Sequence, residues 1–433
     1  MVHFKSLTPF LFFLLISQTG SFAKSETQGK VSFLGISRPE LKSDFAESAD
    51  FVVELEGEHK YYFNKNLSFQ VSPWVRSNWA SKDSVQKFFL EAQEIAISYK
   101  KSSQKVMIGF HRQIWEGTDL VNPMSLQNPQ FYLDPLVTKA RSSAGLFYSD
   151  QIGSFSWDFS YIPKQGKSVL PGEHSAWWPR SLNLPLQTES MEVRLPEDIA
   201  YQINNDEVLD RALDHNVGFR LMINLNSLDV AMAGFEGSSQ APLLIPVLTM
   251  NPIEVSPRQV FQVTSPIAIT PTYFRRRAMA GVMTWSLNPW VLRLSAQHIQ
   301  PMGDSPLLPG WSELFVAGIE RNFALGNQDL MILLQGVSSK KAETGSLSTL
   351  EALLERALML GLGWRPTETV TFLSVFYQEQ RKFSFFFHNE LKLNHNERWS
   401  SQLAVDIFEG KADSALGTYN KNDQFTYQLS WAF

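Results

Sequence analysis

Cysteine is absent from this chain of 433 residues. The absence excludes disulfides, thiolate catalysis and metal sites built on cysteine. Charged residues are scarce, at 19%. No segment of the chain is apolar for the roughly eighteen residues that a membrane-spanning helix needs. Aromatic residues, in contrast, make up 13% of the chain. Little charge and many rings are typical of a β-barrel whose outer wall meets lipid.

The N-terminus has the pattern of an export signal. Lys5 gives a basic start, Leu7 to Ile16 form a short apolar run, and Ser21 and Ala23 are small residues before a cleavage point. We therefore predict a signal peptide over 1–23 and an outer-membrane barrel over 24–433. An uncleaved anchor is the alternative, although the apolar run is too short to span a membrane as a helix.

The last ten residues alternate strictly between two kinds of side chain. In an extended strand one face carries large apolar groups: Phe425, Tyr427, Leu429, Trp431 and Phe433. The other face is polar or small: Gln424, Thr426, Gln428, Ser430 and Ala432. A closing strand that ends in an aromatic residue resembles the ending of bacterial outer-membrane barrels, and we interpret it as a membrane signature.

Similar alternation recurs along the chain. The strand near 382–393 sets three phenylalanines and two leucines against Ser384, His388, Glu390 and Lys392. Burying three ionisable groups in a dry core would cost several kcal/mol each unless they were paired. A water-filled lumen avoids that cost.

Connections between these segments alternate in length, with tight turns such as Asn288–Pro289 and long polar stretches such as 163–214. The pattern predicts an all-β fold: a transmembrane, antiparallel, up-and-down β-barrel with short periplasmic turns and long external loops. Nineteen candidate strands can be counted, and the segments 30–38 and 258–273 are the weakest. Because single-chain barrels have even strand numbers, we expect 18 strands, with 16 as the alternative. The spacing over 349–360 also fits one turn of loop helix.

One segment after a predicted strand is rich in motif-like residues: Gly109, Arg112, Trp115, Gly117, Asp119, Asn122 and Pro123. It resembles the block found where a strand leaves the wall in alginate-export channels and their porin-like relatives. Ile162-Pro163 with Trp177-Trp178-Pro179, and Phe408-Glu409-Gly410 before the closing strand, extend the resemblance. Glu116 departs from it by separating Trp115 from Gly117. The resemblance implies a monomeric barrel that carries polar, often anionic, solutes; a purely structural role for the block stays open.

Charged residues on inward faces are candidates for the pore wall or a constriction: Arg112, Arg276, Arg293, His388 and Glu390. Inward arginines would favour anions. For the run Arg275–Arg277, contact with lipopolysaccharide phosphates at the outer rim is an equally supported interpretation.

We therefore predict a porin-like channel for passive passage of polar, in part anionic, solutes. The alternatives are a non-conducting barrel that acts as adhesin or receptor, and a barrel-embedded hydrolase. We predict no catalytic residue, no cofactor and no metal. The expected partners are outer-membrane lipid and lipopolysaccharide, the outer-membrane assembly machinery, and a small polar solute or oligosaccharide; nucleic acid is not among them.

Overall fold

The structure is a computed structural model that describes residues 24–41, 46–115, 117–118, 122–133, 139–178, 191–194, 200–255, 259–306, 308–326, 328–341, 356–380, 383–411, 414 and 416–433. The predicted signal peptide, Glu116, Asp119 and Pro179 lie outside these residues. Among the described residues, no helix combines the length and the apolar character needed to cross a membrane.

The described residues form 27 strands: β1 Lys24–Ser37, β2 Ala49–Tyr62, β3 Leu67–Asn78, β4 Phe88–Lys101, β5 Gln104–His111, β6 Gln130–Phe131, β7 Lys139–Ala140, β8 Ser143–Ile152, β9 Phe155–Lys164, β10 Met191–Arg194, β11 Tyr201–Ile203, β12 Glu207–Val208, β13 Asp214–Leu225, β14 Leu228–Ser238, β15 Leu243–Val247, β16 Met250–Glu254, β17 Gln259–Val263, β18 Ile267–Tyr273, β19 Arg275–Leu287, β20 Trp290–Met302, β21 Ser312–Leu325, β22 Gln328–Lys341, β23 Arg356–Thr367, β24 Val370–Glu379, β25 Ser384–Asn394, β26 Trp399–Glu409 and β27 Gln424–Ala432. One helical turn, Ser84–Lys87, precedes β4.

Eighteen of these strands form a single closed antiparallel barrel. The wall runs through β1–β5, β8, β9, β13, β14 and β19–β27 in chain order. The first and last strands pair antiparallel, with Lys30 opposite Ala432 and Ser37 opposite Phe425, so the sheet has no free edge. This confirms the predicted fold class and the strand number of 18.

The two ends of the barrel differ in their connections. At one end the turns are short: 63–66, 102–103, 153–154, 226–227, 288–289, 326–327, 368–369 and 395–398. At the other end, three connections are long enough to fold over the opening: 112–142, 165–213 and 239–274. The long connections therefore meet at one mouth of the barrel.

Two segments were harder to place from sequence. The segment 24–37 is a full wall strand, whereas 258–273 contributes β17 and β18, which lie in the connection 239–274 and not in the wall. The helical spacing over 349–360 is wrong from Arg356 onward, where β23 begins, because pairing with β22 outweighs local propensity. Residues 349–355 lie outside the described part.

The outer face carries the apolar side chains. On β27, Phe425 and Tyr427 are exposed on the outside, whereas Ser430 is buried inside and its hydroxyl lies 3.0 Å from that of Ser32. Rings gather at the short-turn end, where the centroids of Trp399 and Trp431 are 6.3 Å apart. Such a girdle is typical of a membrane interface.

The long connections form a small external cap made of β10–β12 and β15–β18. Two sheets, β10-β17-β16 and β11-β18-β12 with β15, build it. Its apolar core contains Tyr132, Trp178, Val193, Tyr201, Ala241, Leu244, Val263, Ile267 and Ile269. A stretch of the second long connection, residues 172–178, is called the crossing segment below.

Candidate functional site in the barrel lumen

The connection 112–142, called the inner loop, packs against the inside of the wall. Trp115, Met124 and Leu126 are almost fully buried. They pack in one cluster with inward residues of β14 and β19: Ala231, Ala233, Phe235, Ala278 and Ala280. Four small alanines in the wall leave the space that the loop fills.

Polar contacts fix the same loop to the wall. The carbonyl oxygen of Pro123 accepts a hydrogen bond from Gln297 Nε2 at 2.8 Å, and Ser160 Oγ donates to Gln127 Oε1 at 2.6 Å. Gln165 Nε2 donates to the carbonyl oxygen of Gln127 at 2.7 Å. Since the loop leaves from β5 and binds β9, β14, β19 and β20, it crosses the lumen.

The inner loop then returns to the wall near its origin. The Phe131 ring lies 4.8 Å from Trp74 of β3 and 5.0 Å from Phe89 of β4, centroid to centroid. Arg141 Nε is 2.9 Å from Glu91 Oε1, and Lys139 forms an ion pair with Glu56. The loop therefore narrows the lumen from two sides.

The motif-like block forms the departure of this loop. Gly109 has φ +135°, which disfavours other residues, and a Cβ there would overlap the carbonyl oxygen of Ile95. Asn122 Nδ2 donates to the carbonyl oxygen of Trp115 at 2.8 Å, and a Cβ at Gly117 would overlap the Asn122 amide oxygen. The five described neutral residues of the block thus shape and seat the loop.

Two of the predicted inward arginines, Arg276 and Arg293, lie at different levels along the barrel axis. Arg276 points inward but is 1% exposed, and its Nη2 donates to the carbonyl oxygen of Leu126 at 3.0 Å. Arg293 is half-buried, with Nη1 2.9 Å from Glu320 Oε2. In the register of β19 and β20, Arg293 lies opposite Thr284 and Arg276 opposite Pro301, about 26 Å away at ~3.3 Å per residue. They do not form one ring.

The flanking arginines of the run point outward at the mouth. Arg275 Nη2 lies 3.2 Å from Glu236 Oε1, and Arg277 Nε lies 2.8 Å from Glu236 Oε2. The Arg277 side chain is 62% exposed. This position is open to the surroundings of the barrel and separate from its lumen.

A transverse row of polar side chains, called the polar ladder, joins five neighbouring strands. It consists of Gln28, Glu58, Gln70, Glu94 and His111 on β1–β5. Gln28 Nε2 donates to Glu58 at 2.8 Å, and Gln70 Nε2 donates to Glu58 at 3.0 Å and to Glu94 at 2.5 Å. His111 Nδ1 completes the row, 2.5 Å from Glu94 Oε1.

Sequence reasoning missed the acidic members of this wall. Glu54, Glu56 and Glu58 share the inner face of β2. Their spacing of two residues is the signal that could have found them, because it puts three carboxylates on one face.

Arg112 lies just after the ladder, beside a cavity of about 530 Å³. Two further cations, Lys30 and Arg398, line the cavity together with four carboxylates: Glu56, Glu58, Glu94 and Glu397. Within the described part of the chain, the buried Arg112 Nε has no hydrogen-bond partner. A second cavity of about 240 Å³ shares Lys30 and Arg398 and adds Lys392. Cationic and acidic side chains thus line the lumen together near the chain's closing strand.

His388 and Glu390 face the lumen from β25. His388 Nδ1 lies 2.6 Å from Asp406 Oδ1, and its Nε2 lies 3.6 Å from Glu390 Oε2. The Ser384 hydroxyl instead donates to Glu379 Oε2 at 3.3 Å. Both nitrogens of the ring are therefore engaged by carboxylates.

The crossing segment spans the mouth. Glu47 N donates to the carbonyl oxygen of His174 at 3.0 Å, and Asn422 Nδ2 donates to that of Ala176 at 2.6 Å. Trp177 packs with Phe408 and Tyr419. The segment thus connects β9 to the connections that flank β1 and β27.

A closed barrel with a loop folded into a polar lumen defines the porin-type fold, and solved structures share it. OccAB1 of Acinetobacter baumannii is similar with a TM-score of 0.53 and 9% identity, over 95% of this chain and 96% of that chain. OccK2 (OpdF) of Pseudomonas aeruginosa, solved with glucuronate, gives 0.53 and 10%, over 95% and 98%.

OpdK of the same organism, solved with vanillate, gives a TM-score of 0.52 and 9% identity, over 95% of this chain and 98% of that chain. No protein-family model matches this chain, and no curated protein matches its sequence. At such identities the likeness shows the fold alone, which is that of outer-membrane porins.

Proposed function

We propose that this protein is an outer-membrane, porin-like channel through which polar solutes, anions among them, pass without an energy source. The observation that carries the proposal is the inner loop, which crosses a polar lumen and is bound to the opposite wall by buried side chains. A fixed loop of this kind narrows a passage without closing the barrel wall. It would select solutes by size and by charge.

The lining of the larger cavity supports a hydroxylated anion as the solute. Arg112, Lys30 and Arg398 supply positive charge for an anionic group, and the four carboxylates of the lining supply acceptors for hydroxyl groups. The structures of OccK2 with glucuronate and OpdK with vanillate contain carboxylate compounds, which supports the same class for this chain.

Several narrower assignments are part of this proposal. Resemblance of the block around Gly109 supports the alginate-export type of channel, and that type implies a monomer. The outward girdle and the exposed Arg277 fit contact with lipid and lipopolysaccharide, and the closing strand fits recognition by the assembly machinery. We also infer that the chain is not an enzyme, since the Ser384 hydroxyl donates to Glu379 and not to His388, so that the two residues form no nucleophile–base pair.

Planar-bilayer recording of the purified protein tests the proposal. We expect discrete conductance steps, and a reversal potential in a potassium chloride gradient that reports permeation of both ions with preference for chloride. Addition of glucuronate should reduce the chloride current, because the two anions would compete for the same lining.

Two results would contradict the proposal. A protein that inserts and shows no conductance would favour an adhesin or receptor. Conductance without any effect of glucuronate, while neutral glucose of similar size blocks equally well or better, would remove the anion assignment and leave a general pore.

A further inference from the structure

Three potential metal ligands converge at the mouth of the barrel. One ligand atom each from Asp83, Glu173 and His174 lies within 4.8 Å of the others. Asp83 is buried, and the other two are half-buried. Two carboxylates and an imidazole are a donor set that binds divalent transition metals.

A fourth carboxylate stands next to this cluster. Glu47 is 6% exposed, and its Oε2 has no hydrogen-bond partner in the described part of the chain. Its Oε1 accepts a hydrogen bond from Lys82 N, next to Asp83, and its own backbone N–H binds the carbonyl of His174. A buried acceptor is thus held next to Asp83 and His174.

The orientation of Asp83 also needs an explanation. Asp83 occupies the residue before the helical turn Ser84–Lys87, where an aspartate normally accepts a hydrogen bond from the first turn. Its side chain makes no such bond. Its carboxylate is instead directed at Gly172, where a Cβ would overlap it, and at the N–H of His174, 3.2 Å away. The glycine lets the carboxylate approach the Glu173–His174 pair.

We propose that Asp83, Glu173 and His174 bind one divalent transition-metal cation, of the Zn²⁺ or Mn²⁺ class, at the mouth of the barrel, and that the neighbouring Glu47 turns its carboxylate to the ion when it binds. The imidazole favours these ions over Ca²⁺, which prefers oxygen ligands alone. A cation would also compensate three carboxylates packed together, and it would supply the missing partner of Glu47 Oε2.

The bound ion would join three separate connections of the chain. Glu47 belongs to the connection 38–48, Asp83 to 79–87, and Glu173 and His174 to 165–213. Metal would therefore hold the crossing segment against the β1–β4 side of the mouth.

Zn²⁺ titration of the full-length mature protein, refolded in detergent and freed of any histidine tag, tests the site. We expect saturable binding of one Zn²⁺ per chain, and Ca²⁺ should not compete at equal concentration. Asp83→Asn and His174→Gln should each weaken Zn²⁺ binding at least about tenfold, because each removes one ligand. Glu47→Gln should weaken it as well.

His395→Gln is the matched control, since His395 lies in a short turn at the other end of the barrel, with its Nε2 2.8 Å from Ser401 Oγ. It should bind Zn²⁺ like the parent. A heat-dependent shift in electrophoretic mobility shows whether each variant forms the barrel, and Glu173→Gln offers a milder change if Asp83→Asn does not fold. Equal Zn²⁺ affinity in the Asp83, Glu173 and His174 variants, or preferential binding of Ca²⁺, would overturn the site. Since binding is read without ion flux, a non-conducting barrel would leave this result unaffected.

Discussion

Three consecutive arginines on β19 show how strand geometry separates neighbours. Arg276 points inward and is covered by the inner loop, whereas Arg275 and Arg277 point outward and share Glu236. The alternation follows from the two-residue period of a strand and could be predicted. The covering of Arg276 could not, because Leu126, whose carbonyl it binds, lies 150 residues earlier.

Among single residues, Arg112 has the clearest consequence for ion selectivity. Replacing Arg112 by Gln removes one positive charge from the cavity lining. We expect the chloride-to-potassium permeability ratio to fall roughly twofold, because one charge in a water-filled passage acts on an ion with only a fraction of a kcal/mol to about 1 kcal/mol. Reversal potentials in a salt gradient measure the ratio.

Arg277→Gln is the control for that experiment, since Arg277 is exposed on the outer face. It should leave the permeability ratio unchanged. An equal drop in both variants would mean that the overall charge of the protein, and not the lumen lining, sets the selectivity.

Alternation along a segment predicts a strand but does not reveal its neighbours. The segment 258–273 alternates like a wall strand, yet Ile267 and Ile269 of β18 are buried in the external cap, where β18 pairs parallel with β11. The core of the cap and the lipid-facing belt both require an apolar residue at every second position. The pattern alone therefore cannot distinguish a cap strand from a wall strand. The proposed metal site could not be predicted from the sequence for a related reason, because its ligands come from three separate connections.

The inner loop is the element whose removal from the wall should widen the passage. Trp115→Ala deletes a side chain that is buried against the alanines of β14 and β19, at a cost of about 3–5 kcal/mol in packing. We expect higher single-channel conductance, because the loop would no longer be held across the lumen. Single-channel recording in a planar bilayer measures it.

Trp364→Ala serves as the matched control, because Trp364 lies on the outer face of β23 and is 40% exposed. Its conductance should equal that of the parent. If Trp115→Ala kept the parental conductance while folding normally, the inner loop would not define the narrowest part of the passage.

Closure of the whole barrel depends on the pairing of its first and last strands. Phe433 exchanges two backbone hydrogen bonds of 3.0 Å with Gly29, and its ring lies where a Cβ at residue 29 would stand. Strand β27 and its outward face were predictable from the sequence, because the alternation of apolar and polar residues is local. Its partner β1 was among the weakest segments in sequence, because polar residues fill much of its first half.

For the whole molecule, we expect Phe433→Ala to lower the yield of assembled barrel roughly fivefold, because it removes about 1 kcal/mol of half-exposed apolar packing at the closing seam. Loss of the terminal aromatic residue, which we propose the assembly machinery recognises, would lower the yield further. The fraction of protein that shows a heat-dependent mobility shift in membranes measures the yield. Phe425→Ala changes the same face at the other end of β27; if it lowered the yield equally, the terminal position would have no special role.

Export should leave a defined start to the mature chain. Cleavage of the predicted signal peptide after Ala23 gives a mature N-terminus at Lys24, and mass spectrometry of protein from outer membranes measures it. An intact N-terminus at Met1 would favour the uncleaved anchor instead.

The crossing segment has a consequence for the order of folding. Tyr419 donates its hydroxyl hydrogen to the carbonyl oxygen of Trp177, 242 residues earlier in the chain. Local hairpins can form soon after synthesis, but so distant a contact needs nearly the whole chain to be present and closure of a very long loop. The mouth should therefore reach its final arrangement late, together with the joining of the first and last strands of the wall.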